Sequence, residues 1–236
     1  MRDSKLKHEE LTLSFDKLRV LEVLNGRQGS PLFPESGIHE IPLEELQDKL
    51  RWDISWAPRG ALEKDRSRVH PIPYIAMRRR QPGGSQTLMT YKRPDSVNGE
   101  QKLVGKRSIA AGGHPDIVRD HVHFEGATDL IDTLRKAAEG ELFEEFRVLD
   151  VDDDDITDTV MRQLKYVGVM LDWDDVGLVH LAVLFLVDLD PTDTVLPRKA
   201  DEVEDVQFLA PEHVANAPDG LYENWSDIYA HYLLNV

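Results

Sequence analysis

The fold of this chain is decided by residues 126–148, GATDLIDTLRKAAEGELFEEFRV. Apolar residues recur along this stretch at the spacing of one helix face, which predicts an α-helix. The apolar positions are Leu130, Ile131, Leu134, Ala137, Ala138, Leu142 and Phe146. At about 100° per residue, Glu141, Glu144 and Glu145 fall within an arc of roughly 100°, away from much of that stripe. Gly140 directly precedes them, although glycine inside a helix costs about 1 kcal/mol relative to alanine. The glutamates form either a metal site or a solvated helix face.

Composition limits the class of protein. The chain has 236 residues, of which 41% are hydrophobic, so it can bury a core as one domain, or as one domain with an extension. It contains no cysteine, which excludes disulfides, thiolate metal sites and a cysteine nucleophile and fits a cytoplasmic location. No run of about eighteen apolar residues is present, and the N-terminus lacks the apolar region of a secretory signal, so neither a transmembrane helix nor a signal peptide is expected.

The charge of the chain bears on its partners. Its formal net charge is −16, which repels the phosphate backbone of nucleic acids and anionic membranes. We therefore expect no nucleic-acid partner and no membrane partner. The same acidity is consistent with carboxylates gathered around a divalent metal ion.

The remaining pattern predicts a mixed α/β domain with a mixed or antiparallel sheet. The predicted elements are a helix at 42–50, a hairpin of 72–80 and 87–93, a strand within 106–115, a hairpin of 163–171 and 178–189, a strand at 201–211, a short helix from Pro211 and an amphipathic helix at 222–234. Residues 20–33 are predicted to start as an apolar strand and continue into turns. Residues 56–68 are predicted to be a loop.

The spacing of the stretch quoted first resembles the Nudix box. That motif is glycine, five residues, glutamate, seven residues, then Arg-Glu-apolar-any-Glu-Glu-any-Gly-apolar. Here Gly126 is followed by five residues and Asp132, and seven more residues lead to Gly140 and the Glu-Leu-Phe-Glu-Glu core. Three positions depart from the motif, because Asp132 replaces glutamate, Gly140 replaces arginine and Arg147 replaces glycine.

The resemblance extends to about residues 60–236. The segments RVHPIPYIAM, GKRSIAAGGHP and LYENWSDIYAHYL are similar to those of a bacterial Nudix subgroup of phosphoesterases. The resemblance implies the Nudix fold, which is an α/β/α sandwich with a mixed β-sheet and a loop–helix–loop motif. It further implies a Nudix domain at 61–236, with residues 1–60 as an N-terminal extension packed on it.

The same resemblance implies a site for Mg²⁺ or Mn²⁺. Glu141, Glu144 and Glu145 would be the metal ligands, and Glu144 and Glu145 the catalytic residues. The general base would be Glu145 or a loop acid, for which the candidates are Asp201, Glu202 and Glu204. The implied activity is hydrolysis of a diphosphate bond in a small phosphorylated molecule, such as a nucleoside diphosphate linked to another moiety.

Further residues are candidates for substrate contact. Gly112 and Gly113 would let backbone amides approach a phosphate, and Lys106 and Arg107 would clamp it. His114 would touch the substrate or cap the turn. Lys106 and Arg107 are equally compatible with solvent exposure beside a strand. Gly126, Asp132 and Gly140 would support the motif.

Other functions stay open. In the Nudix family the arginine replaced by Gly140 organises the glutamates by ion pairing, so the chain could instead be a catalytically weakened or inactive ligand-binding module. Arg147, one helical turn beyond Glu144, is a candidate substitute for the lost charge. An isoprenoid diphosphate isomerase shares the fold, but that chemistry resembles one that needs a cysteine. The C-terminal helix suits a homodimer interface or ordinary packing.

The histidines offer no recognised ligand spacing. No HExxH motif is present, and His70, His121, His123 and His180 are not paired at metal-ligand spacing. A histidine within an apolar strand, such as His180, is expected to be a hydrogen-bonded core residue.

Overall fold

The computed structural model of the chain describes residues 9–25, 35–94, 103–124, 127–174, 177–198 and 203–236. The strands in these ranges are β1 (Leu11–Asp16), β2 (Gly37–His39), β3 (Ser55–Pro58), β4 (Arg68–Arg80), β5 (Gln86–Lys92), β6 (Arg107–Ser108), β7 (Ala110–Gly112), β8 (His123–Phe124), β9 (Ala127–Thr128), β10 (Phe146–Leu149), β11 (Lys165–Leu171), β12 (His180–Leu189), β13 (Thr194–Pro197) and β14 (Glu204–Leu209). The helices are α1 (Lys17–Asn25), α2 (Leu43–Leu50), α3 (Arg59–Leu62), α4 (Leu130–Glu145), α5 (Thr157–Met161), α6 (Pro211–Ala215) and α7 (Asn224–Leu233). The predicted α/β class is confirmed.

The chain divides into two compact units. The first comprises residues 1–74, 113–138 and 166–184, and the second comprises residues 75–112, 139–165 and 185–236. β4, α4 and β12 each begin in the first unit and end in the second. β4 and β12 are neighbours in the main sheet. β4 also pairs antiparallel with β1 and with β5. The predicted domain boundary at residue 60 stays a prediction.

In the first unit, the strand order is β4, β12, β11 and β2. β1 pairs antiparallel with β3 and, at its end, with β4. Residues 12–15 of β1 are all buried, including two polar side chains. Thr12 Oγ1 donates to the Pro115 carbonyl at 2.8 Å, and Arg68 Nε donates to Ser14 Oγ at 2.9 Å. These bonds offset the cost of burying polar groups in the core.

In the second unit, β5 lies between β4 and β14, and both pairs are antiparallel. β6 also pairs with β5, and β10 pairs with β13. Helix α7 buries Trp225, Tyr229 and Leu233, and the Tyr229 hydroxyl donates to the Phe185 carbonyl at 3.2 Å. The apolar residues of this helix therefore contribute to the core of the unit.

Helix α4 follows the predicted periodicity closely. Asp129 caps its first turn, because its Oδ1 accepts a hydrogen bond from the backbone nitrogen of Asp132 at 3.0 Å. The helix then runs to Glu145 with Gly140 inside it. Its apolar side is fully buried at Leu130, Leu134, Ala137, Ala138, Leu142 and, just beyond its end, Phe146. Burial of this face holds the helix in place despite the glycine.

Most predicted elements are present, and two predictions near the N-terminus are wrong. The helix at 42–50, the hairpin of 72–80 and 87–93, the strand within 201–211 and the helices from Pro211 and within 222–234 are confirmed. The two strands of the second predicted hairpin are present as the neighbours β11 and β12, and residues 175–176 of their connection lie outside the described residues. Residues 20–25 are helical rather than strand-like, since a short apolar run does not by itself separate helix from strand. Residues 56–62 form the end of β3 and the helix α3 rather than a loop. None of the helices in the described ranges is long and apolar enough to cross a membrane.

Candidate functional site

The last turns of α4 present the three glutamates of the box. Because α4 is continuous through Gly140, Glu141, Glu144 and Glu145 occupy positions i, i+3 and i+4 and share one face. Glu141 and Glu144 are half-buried, and Glu145 is buried. A carboxylate is rarely buried without a compensating partner, so the surroundings of Glu145 carry information about the site.

A cation near Glu145 comes from Arg93, which directly follows β5. Arg93 forms an ion pair with the buried carboxylate of Glu223. Burial lowers the pKa of Arg93, but Tyr91, Glu223 and Glu145 raise it more strongly, so that its pKa lies well above the ordinary value. Arg93 therefore stays protonated and contributes a fixed positive charge beside two buried carboxylates.

Arg198 holds the end of α4. Its backbone nitrogen donates to the Glu145 carbonyl, and its Nε donates to the Phe146 carbonyl, both at 2.8 Å. Its guanidinium carbon also lies 4.4 Å from the centroid of the Phe143 ring. The final carbonyls of a helix lack partners within the helix and favour positive charge, so Arg198 fixes the turn that carries Glu145.

Arg147 is engaged away from the glutamates. It lies in β10, and its Nε is 2.9 Å from Asp155 Oδ2. The same carboxylate oxygen lies 3.3 Å from Arg198 Nη2. Arg147 therefore pairs with the acidic turn after β10.

The basic candidates for phosphate contact lie at β6. Arg107 Nη1 is 2.6 Å from Asp205 Oδ2, and Arg107 Nη2 donates to Thr90 Oγ1 at 2.8 Å. Lys106 is half-buried, and its carbonyl accepts the backbone nitrogen of Arg93 at 2.9 Å. Gly112 is half-buried at the end of β7. Lys106, Arg107 and Gly112 therefore belong to the same unit as the three glutamates.

The other predicted residues are distributed more widely. Gly113 and His114 belong to the first unit, as does Asp132, which is exposed in the first turn of α4. Glu204 is exposed in β14, opposite Lys92 of β5. Gly126, Asp201 and Glu202 lie outside the described residues.

The donor chemistry of the α4 glutamates fits Mg²⁺ or Mn²⁺. These ions favour carboxylate oxygens, and Mg²⁺ is usually held by one or two carboxylates, several waters and substrate phosphates. Carboxylates that share one face of α4 could therefore hold such an ion together with water and substrate.

A second polar cluster was not predicted. His70 at the start of β4, His114 after β7 and His180 at the start of β12 each offer a ligand nitrogen, and these atoms lie within 4.8 Å of one another. His114 Nε2 and His70 Nδ1 are 2.9 Å apart, which is a hydrogen bond. The ring centroid of His180 lies 4.3 Å from that of His70 and 5.3 Å from that of His114. No short-range spacing in the sequence signals this group, because its members come from three separate segments.

The histidines of this cluster are held neutral. Burial lowers the pKa of His70 to about 2, and the charges of His180 and Arg59 add to the shift, which the Leu62 carbonyl opposes. Burial likewise keeps the pKa of His114 well below its ordinary value, with Arg59, His180 and His70 adding to the effect. Both side chains are therefore unprotonated near neutral pH.

Comparison with known proteins identifies the fold. The chain matches no protein-family model and no curated protein. The crystal structure of Tm1382, named as a Nudix hydrolase, aligns with a TM-score of 0.68 and 21% sequence identity, covering 96% of this chain and 99% of Tm1382. A Nudix hydrolase from Alicyclobacillus acidocaldarius aligns with a TM-score of 0.49 and 12% identity, covering 71% of this chain and 92% of that one. The Nudix domain of Shewanella oneidensis NrtR, complexed with ADP-ribose, aligns with a TM-score of 0.47 and 12% identity, covering 71% and 89%. On the likeness to Tm1382, which spans nearly the whole of both chains, this protein has the Nudix fold.

Proposed function

We propose that this chain is a divalent-metal-dependent hydrolase that cleaves a diphosphate bond in a small phosphorylated molecule, such as a nucleoside diphosphate linked to another moiety. One observation carries the proposal. The glutamates of a Nudix box lie at positions i, i+3 and i+4 of an unbroken helix in a chain with the Nudix fold. We also propose a cytoplasmic location, which the absence of cysteine supports.

In this proposal the glutamates hold Mg²⁺ or Mn²⁺. When bound, such an ion polarises a phosphoryl oxygen and lowers the pKa of a bound water. Glu141, Glu144 and Glu145 supply the oxygen ligands. Glu145 is also a candidate general base for the attacking water, and Glu204 is the alternative acid among the described residues. The positive charge of Arg93, which pairs with Glu223, is electrostatically favourable for a carboxylate at Glu145.

The substrate phosphates would meet the groups around β6 and β7. Lys106 supplies a positive charge, and the amides near Gly112 and Gly113 supply hydrogen-bond donors that a phosphate can approach closely. Arg107 would contribute from a guanidinium that Asp205 already orients at 2.6 Å. His114 is less suited to substrate contact, because its ring is engaged with His70.

The proposal is tested by activity measurements on the full chain. Hydrolysis is screened with Mg²⁺ and with Mn²⁺ over nucleotide sugars, ADP-ribose, dinucleoside polyphosphates and nucleoside triphosphates. The products are phosphomonoesters or pyrophosphate, so they are separated by chromatography or converted to phosphate by an added phosphatase or pyrophosphatase. Glu144→Gln and Glu145→Gln are expected to lower kcat about 100-fold or more, because each removes a charged ligand or the general base. Glu212→Gln, at an exposed position of α6, is the matched control and should keep the parent kcat. Turnover that both active-site variants retain in folded form would refute the assignment.

The second candidate is a ligand-binding module with little or no catalysis. Gly140 supports it, since glycine cannot form the ion pairs of the arginine that the Nudix motif has at this position. Such a module would bind a phosphorylated ligand without Mg²⁺, and Gly140→Arg would leave its turnover at background. An increase of both metal affinity and kcat in Gly140→Arg would instead indicate a weakened enzyme.

A further inference from the structure

We propose that His70, His114 and His180 form a binding site for one transition-metal ion of the Zn²⁺ class, separate from the carboxylate site on α4. All three residues belong to the first unit of the chain. They come from the start of β4, the segment after β7 and the start of β12. One nitrogen from each lies within 4.8 Å of the other two.

The geometry is close to that of a tetrahedral site. Zn–N bonds of about 2.0–2.1 Å with tetrahedral angles place two ligand nitrogens about 3.3–3.4 Å apart. The separation of His114 Nε2 and His70 Nδ1 is 2.9 Å. For His70 and His114, shifts of a few tenths of an ångström would convert the hydrogen-bonded pair into two metal ligands. The ligand nitrogen of His180 lies within 4.8 Å of both and would move closer on binding. A water molecule can fill the fourth position.

Burial supports a ligand rather than a plain hydrogen-bonded cluster. His70 is fully buried, and His180 is 6% exposed. His70 Nδ1, the nitrogen that lies 2.9 Å from His114 Nε2, therefore sits in a place from which bulk water is largely excluded. Buried polar atoms in native proteins are nearly always satisfied by protein, water or an ion. Three imidazoles that converge in a largely buried place are such polar groups, and one metal ion would satisfy a nitrogen of each.

The charges around the cluster set the class of ligand. A metal binds neutral imidazole, and the burial of His70 and His114 favours that form. The nearby cation, Arg59, would oppose a second positive charge, but its Nε is 2.7 Å from Glu63 Oε1, which offsets the repulsion. Imidazole ligands favour Zn²⁺, Co²⁺, Ni²⁺ and Cu²⁺ over Mg²⁺, whereas carboxylates favour Mg²⁺ and Mn²⁺. The two clusters would therefore select different metals.

The structural consequence is a cross-link. His70 and His114 are 44 residues apart in the sequence, and His180 belongs to another strand. Because a preformed arrangement of these three ligands does not exist in the unfolded chain, binding of the metal is coupled to folding. The ion would tie β4, β12 and the segment after β7 together within the first unit.

The test is Zn²⁺ and Co²⁺ binding to the untagged full chain after treatment with a chelator. We expect one Zn²⁺ per chain at the site, a higher Tm with Zn²⁺ than without it, and visible Co²⁺ absorption bands of a tetrahedral nitrogen site. His114→Asn, the least buried of the three positions, and His180→Asn should each weaken Zn²⁺ binding at least 10-fold. His213→Asn, exposed in α6, is the control and should bind as the parent does. Circular dichroism checks that each variant is folded.

Glu144→Gln distinguishes this site from the proposed active site. Zn²⁺ binding and the Co²⁺ spectrum should be unchanged in Glu144→Gln, even if that variant abolishes hydrolysis. The proposal is overturned if the parent chain binds no Zn²⁺ at equimolar concentration. It is equally overturned if folded His114→Asn and His180→Asn bind Zn²⁺ as tightly as the parent.

Discussion

At the residue scale, Gly140 and Arg93 determine which positive charges lie near the glutamates of α4. The box position that carries an arginine in the Nudix motif is Gly140 here, so α4 has no cation there. Arg93, from the end of β5, instead lies beside Glu223 and near Glu145. Arg147 was a candidate for this role by its spacing, and it pairs with Asp155 at 2.9 Å. Arg93, which pairs with Glu223, therefore adds a positive charge that acts on Glu145 from another element.

Replacement of Arg93 should be costly. Arg93→Met leaves Glu223 buried without its ion-pair partner and removes a positive charge near Glu145, so we expect the free energy of unfolding to fall by about 3 kcal/mol. Arg147→Met, whose parent side chain is 45% exposed, should change it by less than about 1 kcal/mol. Urea unfolding of both variants measures the difference. Equal and small losses would show that Arg93 does not compensate buried charge.

At the element scale, α4 is set by its own sequence, whereas the N-terminal elements depend on their context. The periodic apolar face of α4 predicts a helix that the structure confirms almost to the residue. Helix α1 buries Val20, Leu21, Val23 and Leu24, a pattern that was predicted as a strand. Its length of nine residues gives less than three turns of periodicity, which is too short to exclude a strand from sequence alone.

Two glycine substitutions test how α4 tolerates its glycine. Gly140→Ala should raise the free energy of unfolding by about 0.5–1 kcal/mol, because alanine restricts the unfolded chain and favours the helix. Gly168→Ala in β11 is the matched control and should lower it, since the added Cβ would lie 2.6 Å from the His39 carbonyl oxygen. Both values come from denaturant unfolding. A destabilised Gly140→Ala would mean that close packing at this position, rather than metal chemistry, requires glycine.

At the scale of the whole molecule, the net charge of −16 is the dominant property. Like charges repel across a compact structure more than across an unfolded chain, so the charge lowers the stability of the native state. Part of the acidity is used locally, as in the pairing of Asp155 with Arg147 and Arg198. A net charge of this sign repels the phosphates of nucleic acids and the surfaces of anionic membranes.

Salt should therefore stabilise the protein. The Debye length falls from about 30 Å at 0.01 M to about 10 Å at 0.1 M ionic strength, which screens repulsion between distant carboxylates. We expect Tm to rise by a few degrees between 10 mM and 300 mM NaCl, and by the same amount in KCl, measured by calorimetry without divalent ions. A constant or falling Tm would indicate that ion pairs, which salt weakens, outweigh the repulsion.

The sequence by itself determined α4 and the arrangement of its glutamates. Both follow from local geometry, because 3.6 residues per turn place Glu141, Glu144 and Glu145 on one face wherever that helix lies. The two strand hairpins were predictable for the same reason, since alternation and turn residues act between neighbours in the chain.

Only the tertiary structure decided which distant side chains meet. Arg93 reaches Glu223, 130 residues further along the chain, and His70, His114 and His180 converge from three segments. No pattern within a single segment records these contacts, because sheet order and strand register create them. Helical periodicity thus determines that the three glutamates share one face. Long-range contacts determine where Arg93 lies and which three histidines come together.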